Sequence, residues 1–306
     1  MDVLTDILNS LRMKGHLYFR TELTAPWGIH VPSQDNVARF HIVIRGNGWI
    51  QVDGQDQPVP MANGDLLVIP HGAGHHISDV PETASRPLDE VLSEVDYTGQ
   101  GALIYGGGGM GCSLVCGEFA FDSDTFHPLL DNLPPVLQVK GSESYNSRWL
   151  DSALGFIAHE AAHEETGALA IIDRLAEIIF IQVVRAYVNS TDSHIPFLAA
   201  LGDPQISQAL GLIHGNPAYN WTVAELGEAV AMSRSAFSKR FGELVGMSPY
   251  QYLVSVRMQK AAEHLRTTDD ALALVAETIG YESEAAFSNA FKQHYGMRPG
   301  EYRRAG

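Results

Sequence analysis

Two nine-residue stretches near the C-terminus decide the fold of this chain. Ser233-Arg-Ser-Ala-Phe-Ser-Lys-Arg-Phe241 aligns with Ser283-Glu-Ala-Ala-Phe-Ser-Asn-Ala-Phe291 at an offset of 50 residues, and five of the nine positions are identical. The match continues in the endings Gly246-Met-Ser-Pro-Tyr-Gln-Tyr252 and Gly296-Met-Arg-Pro-Gly-Glu-Tyr302. An internal repeat of this kind indicates a structural unit that occurs twice.

Each copy of the repeat contains the parts of a helix-turn-helix motif. In the first copy, Thr222-Val-Ala-Glu225 is a capping box and predicts the start of a short helix. Ser233 follows at a turn and is placed to cap the next helix, in which Phe237 and Phe241 lie four residues apart. Side chains at that spacing share one helix face, which we expect to be buried.

The second copy repeats this arrangement with Ser283 as the cap and phenylalanines at the equivalent positions. Between the copies, Ser248-Pro249 predicts the start of another helix, because proline is favoured at the first helical position. The two motifs are predicted at about residues 222–243 and 271–293, within an all-α domain of seven helices that covers residues 203–306.

The rest of the chain differs from this domain in charge. A chain of 306 residues is too long for most single hydrophobic cores, so two domains are expected. Residues 1–202 carry 10 Lys and Arg against 25 Asp and Glu, whereas residues 203–306 carry 10 against 11. The acidic part repels nucleic acid and restricts it to a basic face of the C-terminal domain. No apolar run reaches the roughly 18 residues that span a bilayer and no signal peptide is evident, so we expect a cytoplasmic protein without a membrane partner.

The N-terminal part predicts β-structure followed by helices. Short apolar runs broken by glycine and proline extend from His16 to about Gln138, which is typical of a sandwich or barrel. The later helix from Ile171 to Val188 is apolar on nearly every face, so either its own barrel or a second subunit must cover it. We expect a homodimer, because the stripe is wider than one packing face requires. The fold class is therefore α+β with two domains. The predicted segments are a barrel domain at 1–140, a helical connector and linker at 141–202, and the helix-turn-helix domain at 203–306.

One N-terminal stretch resembles a known barrel motif. Gly64-Asp-Leu-Leu-Val-Ile-Pro-His-Gly-Ala-Gly-His-His-Ile-Ser-Asp79 is similar to the second cupin motif, with Asp79 in the place of an asparagine. The resemblance implies a cupin-like β-barrel. Cupin enzymes draw His-x-His and a glutamate from their first motif to hold a catalytic metal, but here that strand offers only His41, with Arg39 at the place of the glutamate. A cation at that place repels a divalent metal, so we expect no enzyme; the alternative is a cupin-type metal enzyme, a dioxygenase or isomerase, fused to a DNA-binding tail.

A different metal site is predicted inside the barrel. His41, His75 and Cys116 supply two imidazoles and a thiolate, which are candidate ligands for zinc or another divalent metal. The alternative is that His75 forms a hydrogen bond within the barrel and the cysteines are small buried hydrophobes. A third possibility is a thiol sensor that uses both cysteines. Other candidate ligands nearby are His30, His71, His76 and Cys112.

The C-terminal domain resembles the DNA-binding domain of the AraC/XylS family of transcription activators. The resemblance covers residues 203–304 and rests on the doubled motif with its Gly-Met-x-Pro-x-x-Tyr endings. It implies that each motif lays its second helix into the major groove of double-stranded DNA, that an N-terminal barrel is the sensor, and that RNA polymerase is a partner. The positions implied to face the bases are Ser235, Ser238 and Lys239 in the first motif and Ala285, Ala286 and Asn289 in the second. Phosphate contacts are expected from Arg234, Arg240, Arg257, Lys260 and Lys292.

The chemistry of these side chains suits base reading. Asparagine can bond adenine through two hydrogen bonds, lysine can reach the acceptors of guanine, and alanine can contact the thymine methyl group. The sequence therefore predicts a sequence-specific transcriptional regulator whose barrel senses an effector, which is a small molecule, a metal or a redox signal.

Overall fold

The computed structural model divides the chain into two compact units. The barrel unit covers residues 11–190, and the helical unit combines residues 1–10 with residues 191–306. Of the predicted connector and linker, residues 142–151, 154, 158, 161–165 and 190–195 lie outside the described residues. The structure describes residues 3–10, 13–99, 101–121, 128–131, 133–141, 152–153, 155–157, 159–160, 166–189 and 196–305.

Two sheets face each other in the barrel unit, which confirms the predicted β-rich N-terminal domain. Successive side chains of a strand point to opposite faces, so Ile29 and Val31 are buried while the intervening His30 reaches the outer face. The sheet orders are β11-β6-β3-β10-β1-β9 and β5-β4-β7-β2-β8. The strands are β1 (Met13–Thr24), β2 (Gly28–Val31), β3 (Val37–Arg45), β4 (Asn47–Val52), β5 (Val59–Ala62), β6 (Leu66–Ile69), β7 (His75–Ser78), β8 (Arg86–Pro87), β9 (Ala102–Gly106), β10 (Gly111–Phe121) and β11 (Leu137–Val139).

Of the helices, α1 (Val3–Ser10) belongs to the helical unit, whereas α2 (Leu88–Glu94), α3 (Pro128–Asp131) and α4 (Ala168–Asn189) belong to the barrel unit. The long apolar helix α4 packs along β1. A Cβ atom on Gly15 would lie 2.7 Å from Ala176 Cβ, so the glycine allows the helix to approach the sheet closely. The Phe180 ring lies 5.1 Å from the Phe119 ring of β10. The barrel therefore covers one face of α4, while Ile171 and Ile178 remain 46% exposed on another.

Seven helices follow residue 203 in the helical unit, as the sequence predicts. Asp203 begins the first of them by accepting hydrogen bonds from the backbone N–H groups of Gln205 and Ile206, both at 3.0 Å. None of the helices in the described part of the chain is long and apolar enough to span a membrane. The helices are α5 (Pro196–Gly202), α6 (Pro204–Gly215), α7 (Val223–Ala229), α8 (Arg234–Val245), α9 (Pro249–Thr267), α10 (Leu272–Thr278), α11 (Glu284–Tyr295) and α12 (Pro299–Ala305).

Two further helices complete the core of this unit. Phe197 of α5 is fully buried, and its ring lies 6.4 Å from the Tyr252 ring of α9. Val3 and Ile7 of α1 are also buried, and α1 contacts α6. The compact helical unit is therefore larger than the segment at 203–306 that the repeat and its caps outline.

Candidate nucleic-acid interface and barrel cavity

The second helix of the first motif is α8, which is the first of the two helices predicted to enter the major groove, called recognition helices below. Thr222 and Glu225 form the predicted capping box at the start of α7. Ser233 Oγ accepts a hydrogen bond from the Ala236 N–H at 3.3 Å and so caps α8. Gly246 ends the helix with a φ of 80°, a left-handed conformation that favours glycine.

The two faces of α8 differ as predicted. Phe237 and Phe241 are fully buried, whereas Ser235, Ser238 and Lys239 are exposed. The Lys239 side chain is 78% exposed, and its Nζ lies 3.9 Å from Glu243 Oε1. The three side chains predicted to face the bases therefore lie on one accessible surface of the helix.

The second recognition helix, α11, has the same framework. Ser283 Oγ accepts a hydrogen bond from the Ala286 N–H at 3.2 Å, and Phe287 and Phe291 are fully buried. Ala285, Ala286 and Asn289 are exposed, as is Lys292 one turn further along. At the start of the motif the two copies differ, because Ala271 precedes α10 without a side-chain cap.

The residues predicted to contact phosphates have different surroundings. Arg234, Lys260 and Lys292 are exposed. Arg240 is half-exposed and donates from its Nη2 to Asp203 Oδ2 at 2.9 Å, so part of its charge is balanced within the domain.

Arg257 is the least exposed of the residues that are predicted to contact phosphates. Its side chain is only 6% exposed, and its guanidinium donates to the backbone oxygens of Pro217, Ala218 and Tyr219 at 2.6–3.1 Å. It also donates to the Asn220 side chain at 2.9 Å. These four bonds use Nε and Nη2 of the guanidinium, so the N–H groups of Nη1 are the donors that remain for a contact with phosphate oxygens. Arg257 therefore holds the loop before the first motif, and this low exposure does not favour the predicted phosphate contact.

A cavity of about 290 Å³ lies between the two sheets of the barrel. Most of its lining is apolar, and its polar lining residues are Tyr18, Thr21, Gln34, Arg39, His41 and Cys116. Arg39 and His41 thus line the same cavity, as their positions two residues apart on one strand predict. Arg39 is 7% exposed and donates to Gln34 Oε1 at 2.9 Å, while its buried Nε has no hydrogen-bond partner among the described residues.

The barrel brings together the three residues of the predicted metal site, His41, His75 and Cys116. They form a linear series of contacts with His41 in the middle and do not surround a common point. His41 lies opposite Cys116 in the pairing of β3 with β10, and its Nδ1 is 3.1 Å from Cys116 Sγ. Its Nε2 is 2.8 Å from Nε2 of His75, whose Nδ1 donates to the Ala73 carbonyl oxygen at 3.0 Å. These contacts are satisfied together when all three groups are neutral, with Cys116 donating to His41 and His41 donating to His75.

The shifted pKa values of these groups agree with a hydrogen-bonded series in which all three side chains are uncharged. Burial, with the charges of His75 and Arg39, holds the pKa of His41 well below its ordinary value, and burial lowers the pKa of His75 to about 4. Burial also raises the pKa of the Cys116 thiol, and that of Cys112 to about 11. Because the thiolate is the reactive form of cysteine, this environment does not favour a thiol sensor.

The donor set does not fit a single metal ion. One ion can use only one nitrogen of an imidazole, yet Cys116 and His75 approach different nitrogens of His41. The distances within the cluster are those of hydrogen bonds between neutral groups. The alternative hypothesis, in which His75 forms hydrogen bonds inside the barrel, therefore describes this geometry better than the predicted zinc site.

The other candidate metal ligands separate into two groups. Cys112 is buried, and the His71 Nε2 donates to the Leu133 carbonyl oxygen at 3.0 Å. His30 and His76 lie on the outer face of the barrel, where both contact Asp53. Asp53 was missed because no spacing in the sequence links it to either histidine.

Comparisons with known proteins agree with both domains. Residues 2–189 match a family of cupin domains, and residues 226–305 match a family of helix-turn-helix domains. A protein described as an AraC-like transcription regulator from Streptomyces antibioticus is 33% identical over 309 residues, which is 99% of each chain. The transcriptional regulator AlkR of Acinetobacter baylyi is 30% identical over 99% of each chain. Among solved structures, the DNA-binding domain of AdpA in complex with a target DNA is 30% identical, covers 34% of this chain and 92% of that chain, and has a TM-score of 0.32.

Two full-length relatives at this level of identity and a cupin match over more than half of the chain agree with the doubled motif in the structure. The chain therefore belongs to the family of AraC-like transcriptional regulators, in which a cupin-like domain precedes a helix-turn-helix domain that binds DNA.

Proposed function

We propose that this regulator is controlled by a small, largely apolar molecule with one anionic group, which binds in the barrel cavity. The observation that carries the proposal is Arg39, a buried cation that lines an apolar cavity and has an unpartnered Nε. A cavity of about 290 Å³ is near the lower end of the range of ligand pockets, which suits a compact effector.

The charge of Arg39 is poorly balanced within the barrel. Among the described residues, its guanidinium bonds the neutral Gln34 side chain and forms no ion pair, although Glu118 lies opposite it in the strand pairing. Glu118 is itself buried, and its Oε2 has no hydrogen-bond partner among the described residues, so this carboxylate oxygen does not pair with the guanidinium. Burying an unpaired charge costs desolvation free energy. An anion that reaches Arg39 therefore gains a charge-assisted hydrogen bond, which water in a narrow cavity replaces poorly.

Matched ligands test the charge requirement. A set of small aromatic and aliphatic carboxylates is compared with the corresponding primary amides by calorimetry on the full chain. We expect at least one carboxylate to bind about tenfold or more tightly than its amide, and Arg39→Met to remove that preference. Arg86→Met is the control, because Arg86 is exposed and pairs with Glu90 and Glu94. Equal binding of acids and amides to the natural chain would contradict an anionic effector.

In the same proposal, DNA is read by the exposed faces of α8 and α11. Ser235, Ser238 and Lys239 act on one groove segment, and Ala285, Ala286 and Asn289 act on the next. Arg234, Arg240 and Lys292 contribute phosphate contacts. Their exposure beside buried phenylalanines supports this assignment. RNA polymerase is the partner that the family resemblance implies, and binding of polymerase to the regulator on promoter DNA tests it.

A homodimer through α4 also belongs to the proposal. Ile171 and Ile178 lie seven residues apart on α4 and are 46% exposed, and the half-buried Leu175 lies between them. These three positions form one apolar stripe at helical spacing beside the face that β1 covers. Sedimentation tests the dimer: Ile178→Glu should shift it toward monomer, and a monomer of the natural chain at micromolar concentration would reject it.

The barrel of this regulator is proposed to have no catalytic role. Support comes from Arg39, whose cation lines the same cavity as His41 and opposes a divalent metal there.

A further inference from the structure

Two histidines and an aspartate meet on the outer face of the five-stranded sheet, away from the cavity lining. His30 of β2 lies directly opposite His76 of β7 in the antiparallel pairing. Asp53 follows the end of β4, the strand on the other side of β7. The three side chains are partly exposed, and their imidazole nitrogens and carboxylate oxygens lie within 4.8 Å of one another.

The distances match those between neighbouring ligands of one metal ion. His30 Nε2 is 3.2 Å from Asp53 Oδ2, and His76 Nε2 is 3.3 Å from Asp53 Oδ1. Ligand atoms that are each about 2.0–2.2 Å from an ion at tetrahedral or octahedral angles lie about 3.0–3.5 Å apart. Unlike His41 in the barrel, each histidine here directs a single nitrogen, Nε2, toward the common point.

The surrounding backbone holds the three groups in place. The strand pairing sets the two histidine rings 4.4 Å apart at an interplanar angle of 36°. The Asp53 N–H donates to the Gly74 carbonyl oxygen at 2.8 Å, which joins the turn after β4 to the residue before β7. A Cβ atom on Gly74 would lie 2.2 Å from Asp53 Oδ2, so the missing side chain leaves the place that the carboxylate occupies. Little reorganisation is needed before an ion binds.

We propose that His30, Asp53 and His76 form a binding site for a divalent transition-metal ion. Two imidazoles and one carboxylate suit Zn²⁺, Co²⁺, Ni²⁺ or Fe²⁺, whereas Ca²⁺ and Mg²⁺ prefer sites made of oxygen ligands. Three protein ligands leave further coordination positions for water. The ion joins β2, β7 and the turn after β4, so it stabilises the barrel by binding to the folded state alone.

Cobalt titration of the full, untagged chain tests the site. The chain is first treated with a chelator and then titrated with Co²⁺, and the visible absorption of the ion is followed with calorimetry. We expect one equivalent to bind, without the intense charge-transfer absorption that a thiolate ligand would produce. His30→Ala and His76→Ala should each weaken binding by at least about tenfold.

Two further variants separate metal binding from nonspecific effects. Gly74→Ala retains all three donors but displaces the Asp53 carboxylate, so it should weaken Co²⁺ binding while the barrel remains folded. His264→Ala is the matched control, because His264 pairs with Asp270 at 2.6 Å and is not part of the three-residue cluster. Its affinity for Co²⁺ should equal that of the natural chain.

The outcomes are distinct. One-to-one binding that His30→Ala, His76→Ala and Gly74→Ala weaken and His264→Ala leaves unchanged supports the site. Thiolate absorption that Cys116→Ser removes would assign the metal to the barrel interior instead. No binding of Co²⁺ or Zn²⁺ to the natural chain would overturn the proposal and leave the cluster as two histidine–aspartate ion pairs.

Discussion

The two helix-turn-helix motifs share a framework and differ in what they present. The centres of the two buried phenylalanine rings are 5.5 Å apart in α8 and 5.6 Å apart in α11. A serine caps each recognition helix, and a glycine with a φ of 80° or 74° ends it. The surfaces differ: α8 begins with Arg234 and carries Lys239, whereas α11 begins with Glu284 and presents two alanines and Asn289.

This difference distinguishes the residues that stabilise the fold of each motif from the exposed residues that we assign to DNA contacts. Caps, buried rings and the terminal glycine depend on helix geometry alone, so they recur in both copies. Helix geometry does not constrain the exposed positions in this way, and we propose that the two copies contact different bases. Glu284 strengthens its own helix through the helix dipole but repels phosphate, so we expect α8 to supply more of the electrostatic attraction.

The largest expected effect tests the equality of the frameworks. Phe237→Ala and Phe287→Ala each remove a fully buried ring, so each should lower the free energy of unfolding by about 3–5 kcal/mol. Amide hydrogen exchange of the helical unit within the full chain measures both losses. A loss in only one motif would show that the two frameworks are not equivalent.

The next effect concerns the residue that connects the motifs. Arg257 holds residues 217–220 before the first motif, and its guanidinium lies 5.6 Å from the ring centre of Tyr281 in the turn of the second. Arg257→Ala should lower the free energy of unfolding by about 2–3 kcal/mol and leave the salt dependence of DNA binding unchanged. Arg234→Ala is the matched control. It should leave the free energy of unfolding unchanged and reduce the salt dependence of DNA binding. A reduced salt dependence for a stable Arg257→Ala chain would restore its predicted phosphate contact.

Asn289 tests the difference between the surfaces. It is the exposed hydrogen-bonding side chain among the three positions that we assign to base reading in α11. Asn289→Ala should lose about 1–3 kcal/mol of discrimination at one base pair and little elsewhere. Binding to a site and its single-base variants measures this loss. Equal losses on every sequence would mean that α11 only positions the protein.

The smallest expected effect would reduce an asymmetry in the frameworks. Thr222 caps α7 with a capping box, whereas Ala271 offers no side-chain cap to α10. Ala271→Ser should therefore stabilise the helical unit by about 0.5–1 kcal/mol, and Thr222→Ala should destabilise it by about 1 kcal/mol. Hydrogen exchange of α10 detects the gain, and an unchanged exchange rate would show that water already satisfies the helix end.

The features that the sequence predicts well are those set by neighbours along the chain. The caps at Ser233 and Ser283 and the paired phenylalanines follow from spacings of three and four residues, and the structure contains them. Arg257 is buried by a loop about 40 residues away in the sequence. The residues next to Arg257 in its helix therefore do not show whether its side chain is exposed or buried. Asp53 meets His30 and His76 only through strand register, which the apolar pattern does not specify for polar residues on the outer face.

The most direct test of the account is selection of binding sites from random duplex DNA by the full chain. If both recognition helices read bases, the selected sequences contain two short blocks about one helical turn, roughly 10 base pairs, apart. Ser238→Ala and Lys239→Ala should relax only one block, and Asn289→Ala only the other, while Arg174→Ala in the barrel unit changes neither. A single block, or no enrichment over the starting pool, would contradict the central claim that two unequal helices share the reading of one DNA site.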